Sequence, residues 1–241
     1  MSIRSSFVFI IFLLCMGNLM SQNTHLKVKY KLTKYFTEDE IMPGMPNDYT
    51  TQMLLKVNTS ESLYMKDPDY KEPAIGVESG FMRRMLAQRS KSLPNIYKNL
   101  ANKESVTKVN FFDKDFLILD SLALFPWKIS AGEQKNICGF TCIKAIYKDS
   151  THNVVVYFSP SLLSSHGPDN FYGLPGLIME VQSADLHAIA LNVEKMNTPI
   201  EIEVPQKGTR VTAKEYEAIR EQKIIERKEM MKNRTPRMIT H

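Results

Sequence analysis

Residues 25–36 read HLKVKYKLTKYF, and this stretch predicts the fold class. Even-numbered positions from 26 to 32 are apolar, while positions 27, 29 and 31 are lysines. Successive side chains of a β-strand point to opposite faces, so this alternation predicts a strand with one buried and one solvated face. Such one-sided strands are typical of antiparallel sheets.

Similar short segments recur along most of the chain. Loop residues such as Pro43-Gly44 and Asp113-Lys114-Asp115 separate many of them. Further strands are predicted at 50–57, 62–65, 109–112, 116–120, 137–147, 152–158, 179–183, 188–196 and 200–204, with an element starting at 127–129 and a turn at 132–135. We therefore expect a mainly β protein with an antiparallel sheet, either a curved half-barrel or a sandwich.

The two ends of the chain differ from this β-rich part. Residues 1–21 combine one early positive charge, an apolar core at 7–16 and a small, polar exit, which is typical of a secretory signal peptide. We expect export to the periplasm, the outer membrane or the medium, with no transmembrane segment after cleavage. Residues 22–208 then form the β-rich domain, with an irregular insertion at 66–105. Residues 209–241 form a charged helix and tail, beginning at a capping box of Thr212 and Glu215.

Composition and charge narrow the partners. The 241 residues are 43% hydrophobic and 24% charged, as in an ordinary globular protein, and the net charge is +5. The C-terminal helix mixes both signs of charge, which argues against a nucleic-acid arm. Residues 81–93 hold three arginines and a lysine, and we interpret them as a surface loop or short helix, with contact to anionic lipid or glycan as the alternative.

The hexapeptide Gly173, Leu174, Pro175, Gly176, Leu177 and Ile178 predicts a tight turn. Proline sets φ near −65° at the second position of a type II turn, and glycine tolerates the positive φ of the third. The apolar residues that follow predict a strand beginning near Leu177. The hexapeptide thus has the features of a structural motif.

Candidate chemistry is sparse. Ser164, Ser165, His166 and Asp169 lie within one loop, and a catalytic triad needs a more rigid frame, so we predict no catalytic residues and no enzyme activity. Cys138, Cys142 and His152 are weak metal candidates, because zinc sites normally show four spaced ligands. Two buried small residues are the simpler interpretation of the cysteines. No cofactor is expected.

Several motifs together resemble the GLPGLI family of secreted Bacteroidetes proteins. They are Ser62-Leu63-Tyr64, Trp127-Lys128-Ile129, Glu133 with 137–140 and Lys144-Ala145, Gly167-Pro168, and the hexapeptide. The resemblance covers most of the chain after residue 21. It implies an exported, β-rich protein whose family has no established biochemical activity.

These observations lead to three functional expectations. The first is an exported, non-enzymatic β-domain that binds an apolar ligand in the cell envelope, with Trp127, Tyr157, Leu174 and Pro175 as candidate ligand residues. The second is an interaction or structural module that docks on an outer-membrane protein through the hexapeptide. The third is metal handling through Cys138 and Cys142.

Overall fold

The computed structural model describes residues 25–36, 46–72, 80–148 and 153–234, so the predicted signal segment lies outside the described residues. These ranges contain two helices, α1 (Gly80–Lys91) and α2 (Ala213–Arg234). The strands are β1 (His25–Tyr35), β2 (Asp48–Val57), β3 (Glu61–Lys66), β4 (Asn95–Asn99), β5 (Glu104–Phe111), β6 (Lys114–Ser121), β7 (Lys128–Ile137), β8 (Phe140–Lys148), β9 (Asn153–Ser159), β10 (Leu177–Gln182), β11 (Leu186–Met196) and β12 (Thr209–Thr212).

All twelve strands form one sheet, and the chain is mainly β with a C-terminal helix, as the sequence predicted. The order of strands is β12-β6-β5-β4-β3-β2-β1-β11-β10-β9-β8-β7. Neighbouring strands are antiparallel except for β12, which runs parallel to β6. The sheet is continuous, so the half-barrel alternative describes the fold better than two stacked sheets.

The strand β1 lies in the middle of this sheet, between β2 and β11. Its even-numbered side chains from Leu26 to Leu32 are buried, and they pack with those of the neighbouring strands on what we call the inner face. Its lysines lie on the opposite, outer face. The alternation read from residues 25–36 therefore sets which face of the sheet holds the core.

The hairpin of β7 and β8 shows how strongly the sheet curves. Cys138 and Gly139 have φ angles of 52° and 82°, as a two-residue type I′ turn requires. At this turn the Cys138 thiol donates a hydrogen bond of 3.2 Å to the Ala190 carbonyl of β11. In sheet order β11 is three strands from β8, so the end of the sheet curls toward its middle.

Two predicted local features differ from the structure. Residues 132–135 were predicted as a turn but lie inside β7, where the register with β8 shifts between Ser130 and Gln134. The glycine signal marked a bulge, which inserts extra residues without ending the strand. Residues 66–105 were predicted as an irregular insertion with a surface loop or short helix at 81–93; the helix is present as α1, but the insertion also contains the buried strand β4. β4 has only five residues with a lysine among them, so its pattern was too short to indicate a strand.

The predicted last strand, 200–204, is not part of the sheet. Residues 197–208, which we call the strap, connect β11 to β12 along the chain and run across the outer face of the sheet. Alternation of Ile200, Ile202 and Val204 indicated an extended chain with one apolar side. The alternation does not show whether the segment forms backbone hydrogen bonds with a neighbouring strand, because this depends on the strands beside it.

The C-terminal helix begins as predicted. The Glu215 amide donates to the Thr212 hydroxyl oxygen at 3.2 Å, and the Thr212 amide donates to the Glu215 carboxylate at 2.7 Å. Tyr216 then packs edge-on against Phe111 and Phe116 of the sheet. Within the described residues neither helix is both long and apolar enough to cross a bilayer.

Candidate functional site

Residues 160–176, which we call the inner loop, cover the inner face of the sheet. Leu162 and Leu174 are buried in the main core. The Leu177 amide donates to the Leu162 carbonyl at 3.1 Å, and the Ile178 amide donates to the His166 carbonyl at 3.1 Å. The concave side of the sheet is therefore filled by the chain itself at these positions.

Lys98 of β4 reaches from the sheet and binds the inner loop. Its fully buried ammonium donates to the carbonyls of Gly167 at 2.9 Å, Asp169 at 2.5 Å and Phe171 at 3.2 Å. Burial lowers the pKa of Lys98 to about 7, since water no longer solvates the charge. Three oriented carbonyl dipoles compensate for part of this loss. The lysine thus fixes the turn between 167 and 171 against the sheet.

The hexapeptide forms a tighter turn than the predicted type II turn. The Gly176 amide donates to the Leu174 carbonyl at 2.8 Å, which closes a three-residue γ-turn around Pro175. Gly176 has a φ of 156°, and a Cβ there would lie 2.3 Å from the Ser159 carbonyl oxygen. Glycine is therefore required because two backbone segments touch.

An aromatic cluster lies beside the inner loop. It consists of Phe125, Trp127, Tyr147, Phe171 and Tyr172. Phe125 is its centre, with ring centroids 5.3 Å from Trp127, 5.9 Å from Phe171 and 5.2 Å from Tyr172. Centroid separations of 4.5 to 7 Å in tilted or edge-on arrangements are those that aromatic pairs prefer. The cluster joins the β6–β7 connection and β8 to the inner loop.

The polar groups of two cluster residues are already bonded inside the protein. The Trp127 indole N–H donates to the Tyr172 carbonyl at 2.9 Å, and the Tyr172 hydroxyl donates to the Ala123 carbonyl. Phe125, Trp127 and Phe171 are each only partly buried. The part of the cluster that is exposed to solvent is therefore aromatic ring surface, and internal contacts hold it in place.

Exposed apolar residues extend this surface. Leu124 is 85% exposed next to Phe125, and Pro175 of the hexapeptide is exposed as well. At this exposure the Leu124 side chain contributes almost nothing to the hydrophobic core of this chain. We call the cluster together with the exposed residues Leu124 and Pro175 the apolar rim, where aromatic or aliphatic groups of another molecule can pack.

The four predicted ligand residues do not meet at one place. Trp127 belongs to the aromatic cluster. Pro175 is exposed in the hexapeptide, three positions after the cluster residue Tyr172. Leu174 is buried in the core, so it is a packing residue. Tyr157 lies on the outer face, because its neighbours Val156 and Phe158 are buried on the inner one.

Sequence analysis missed Phe125, Phe171, Tyr172 and Lys98. A usable signal existed for the aromatic residues, because Phe125 and Trp127 flank one proline and Phe171-Tyr172 directly precede the hexapeptide. Nothing marked Lys98, which lies in a short polar segment. Its role depends on carbonyl groups about 70 residues later in the chain, as the sequence separations of 69 to 73 show.

Tyr157 borders a buried ionic cluster on the outer face. The Glu180 carboxylate is buried and contacts the Lys135 ammonium, the Gln182 amide at 2.7 Å and the His187 imidazole at 2.9 Å. The Lys135 ammonium lies 3.9 Å from the centre of the Tyr157 ring. Burial, Lys135 and Lys31 lower the pKa of His187. Each charge has a partner, as expected for a cluster that ties β7, β10 and β11 together.

The serine and histidine candidates form no triad. His166 is buried, and neither ring nitrogen has a hydrogen-bond partner among the described residues. Burial, with Lys98 nearby, lowers its pKa to about 3, so the ring is neutral. Ser164 accepts from the His166 backbone amide at 3.3 Å. Because neither imidazole nitrogen has a hydrogen-bond partner among the described residues, the ring does not activate this serine hydroxyl.

The cysteines are separate free thiols. Cys138 is exposed in the β7–β8 turn and Cys142 is buried. Burial raises the pKa of Cys142 to about 11, which disfavours the thiolate that metals require. Within the described ranges no three His, Cys, Asp or Glu side chains are grouped to hold a metal ion. His152 lies outside these ranges.

Comparisons with known proteins concern the fold. It is similar to part of PNGF-II. Structures of PNGF-II in the P21 and C2 space groups match with a TM-score of 0.53 each, at 15% and 14% sequence identity. Each match covers 81% of this chain but only 33% and 32% of PNGF-II, so the chain spans about a third of that protein's length. No family model matches the sequence, and no curated protein does.

Proposed function

We propose that this chain is an exported, non-enzymatic binding domain that takes an apolar ligand at the aromatic cluster. The observation that carries the proposal is a set of partly exposed rings, Phe125, Trp127 and Phe171, that are held by packing on one another and by the hydrogen bonds of Trp127 and the buried Tyr172. Rigid aromatic groups bind apolar partners at a low cost in conformational entropy. The signal-like residues 1–21 and the resemblance to GLPGLI proteins support the exported location.

The proposed ligand binds at the apolar rim and not inside the curved sheet. The inner loop occupies the concave face, with Leu162 and Leu174 in the core. An acyl chain or similar ligand inside the sheet would have to displace this loop and leave the three carbonyls bound by Lys98 without a donor. Binding at Leu124 and Phe171 requires no such displacement.

Trp127 provides a direct test, because it is the only tryptophan of the chain. Delipidated protein is titrated with the neutral apolar probe N-phenyl-1-naphthylamine while tryptophan emission and energy transfer to the probe are recorded. We expect saturable binding that Leu124→Ser and Phe171→Ser weaken about fivefold, equivalent to roughly 1 kcal/mol. Ile225→Ser on α2 is the control and leaves affinity unchanged. Absence of saturable uptake by the delipidated protein contradicts the proposal.

A second function is an interaction module that docks on an envelope protein through the same rim. The match to a third of PNGF-II favours it, because there the fold is one part of a longer chain. Pro175→Asp and Leu124→Asp alter the rim without touching buried atoms. A partner that binds the native domain and not these two variants, while probe titration shows no small-molecule site, identifies this function.

A further inference from the structure

A polar pocket of about 290 Å³ lies where α1 ends beside β3 to β6, and it shares no lining residue with the aromatic cluster. Its charged and amide-bearing lining residues are Lys66, Lys91, Lys108, Asn95, Asn110 and Asp115. A pocket of this size holds one sugar-sized group. Cationic and amide side chains outnumber the apolar ones in it, so a polar, anionic ligand fits it better than an apolar one.

Positive charge dominates this end of the molecule. The pocket lining has three lysines and one carboxylate. The adjoining helix α1 contains Arg83, Arg84, Arg89 and Lys91 and no acidic residue. Arg89 is used internally, because its guanidinium lies over the Phe36 ring and donates to the Pro46 carbonyl. Lys91 is exposed in the pocket lining, and Arg83 and Arg84 are exposed nearer the start of the same helix.

The single carboxylate of the pocket is neutralised within the protein. Asp115 accepts from the Asn110 amide at 2.8 Å and pairs with Lys108 at 2.8 Å. These contacts lower the pKa of Asp115, and the hydrogen bond from Asn110 has the largest effect. Lys66 pairs with Glu72 at 2.7 Å. Lys91 therefore adds positive charge that neither of these two pairs balances.

Asn110 also presents an acceptor. Its side-chain oxygen is buried and has no hydrogen-bond donor among the described residues. A buried acceptor without a donor costs free energy, so it favours a ligand that supplies a hydroxyl or N–H group. Asn95, paired in register with Lys108, adds a second amide on the same face. Hydroxyl recognition beside positive charge distinguishes this pocket from a site for a simple anion.

The pocket continues into a longer depression. Asn95 and Lys108 also line a groove of about 800 Å³ that runs along the outer face beside the strap. Lys56 and Lys207 add further positive charge there, and Glu201 and Glu203 of the strap add negative charge. A ligand held at the pocket can therefore extend along the sheet, as an oligomer does.

We propose that this pocket binds a carboxylate-bearing sugar unit of an acidic oligosaccharide. Lys91 pairs with the carboxylate, Lys66 and Lys108 keep their internal partners, and the two asparagines form hydrogen bonds with ring hydroxyls. A lipid headgroup fits less well, because the lysines here line a pocket together with two amides and do not stand on an amphipathic helix face, as cations that contact a membrane surface commonly do. The site is separate from the aromatic cluster, so the proposal stands or fails independently of the apolar ligand.

Calorimetric titration with tetragalacturonate tests the proposal on the full mature chain. Its fully methyl-esterified form is the matched neutral probe, and vesicles of phosphatidylglycerol and phosphatidylcholine test the lipid alternative. We expect tetragalacturonate to bind at least tenfold more tightly than its ester. Lys91→Gln and Asn110→Ala should each weaken binding about fivefold, the loss of roughly one charge-assisted or buried hydrogen bond. Lys148→Gln removes an exposed charge at the other end of the sheet and is the control.

Each outcome decides the matter. Weaker binding in Lys91→Gln and in a folded Asn110→Ala, with native affinity in Lys148→Gln, supports the proposal. If Asn110→Ala does not fold, Lys91→Gln and the ester decide alone. Equal affinity for acid and ester, equal losses in Lys91→Gln and Lys148→Gln, or binding only to the anionic vesicles overturns it.

Discussion

The inner loop and the strap are both irregular segments that cross the same sheet, one on each face. The inner loop is held by Lys98, by amide–carbonyl bonds such as Leu177 to Leu162, and by backbone contact at Gly176. The strap packs through partly buried Ile200 and Ile202 and borders open grooves. The comparison teaches that Lys98 and backbone contacts fix the inner loop against its face, although the His166 ring nitrogens have no partner among the described residues. The outer face instead keeps open grooves beside the strap, with space for other molecules.

Gly176→Ala tests the closed face most severely. The added Cβ would lie 2.3 Å from the Ser159 carbonyl oxygen, at a φ that disfavours side chains. We expect the free energy of unfolding to fall by at least about 4 kcal/mol, measured by urea denaturation. Gly132→Ala is the matched control, since a Cβ there meets nothing within 4 Å. Equal stability of the two variants would show that the backbone contact is unimportant.

Lys98→Met removes the clamp but keeps a long side chain. Three buried carbonyls lose their donor, while the cost of burying a charge also disappears. We expect a net loss of about 3 kcal/mol in the free energy of unfolding, because orphaned carbonyls cost about 1 to 3 kcal/mol each. Lys148→Met, at an exposed lysine, should be neutral. A more stable Lys98→Met protein would mean that the inner loop holds without the lysine.

The same lysine predicts a pH dependence. Its pKa falls from 10.5 in the unfolded chain to about 7 in the folded protein. Between these values the unfolded state binds more protons, so stability rises with pH. We expect the stability of the native protein relative to Lys98→Met to increase between pH 7.5 and 9.5, by up to about 1.4 kcal/mol per pH unit. A flat difference would indicate that the three carbonyls keep the ammonium charged throughout this range.

Trp127→Phe sharpens the comparison at the edge of the inner loop. The phenyl ring keeps contact with Phe125 but loses the N–H bond to the Tyr172 carbonyl. We expect thermal unfolding to show a loss of about 1 to 2 kcal/mol, from one hydrogen bond and a smaller ring. Tyr157→Phe, on the outer face, is the control for aromatic substitution. A loss no greater than that of Tyr157→Phe would mean that this bond does not anchor the loop.

Val204→Ser addresses the open face and should have the smallest effect. Val204 is 38% exposed and borders both grooves beside the strap. We expect the free energy of unfolding to change by about 0.5 kcal/mol or less, as for ordinary surface positions. Urea denaturation alongside Gly176→Ala measures both faces in one assay. A loss comparable to that of Lys98→Met would place the strap in the core and end the distinction.

Most strands could be predicted from the sequence, because their apolar and polar side chains alternate against one buried face. Residues 25–36 and the capping box at Thr212 are the clearest cases, since each signal lies within a few residues. The strap failed because an extended apolar pattern does not identify its neighbours. β4 failed because its buried lysine obscured a strand of only five residues.

In the candidate site, too, features set by adjacent residues could be predicted and contacts between distant segments could not. The sequence by itself determined that Gly173, Pro175 and Gly176 form a tight turn before a strand, and that Trp127 needs a partner for its N–H. Only the tertiary structure decided that this partner is Tyr172, that Lys98 binds the loop beside it, and that Leu174 faces the core while Tyr157 faces outward. Turn geometry is a property of adjacent residues, whereas these contacts join segments 45 to 73 residues apart that only the curved sheet brings together.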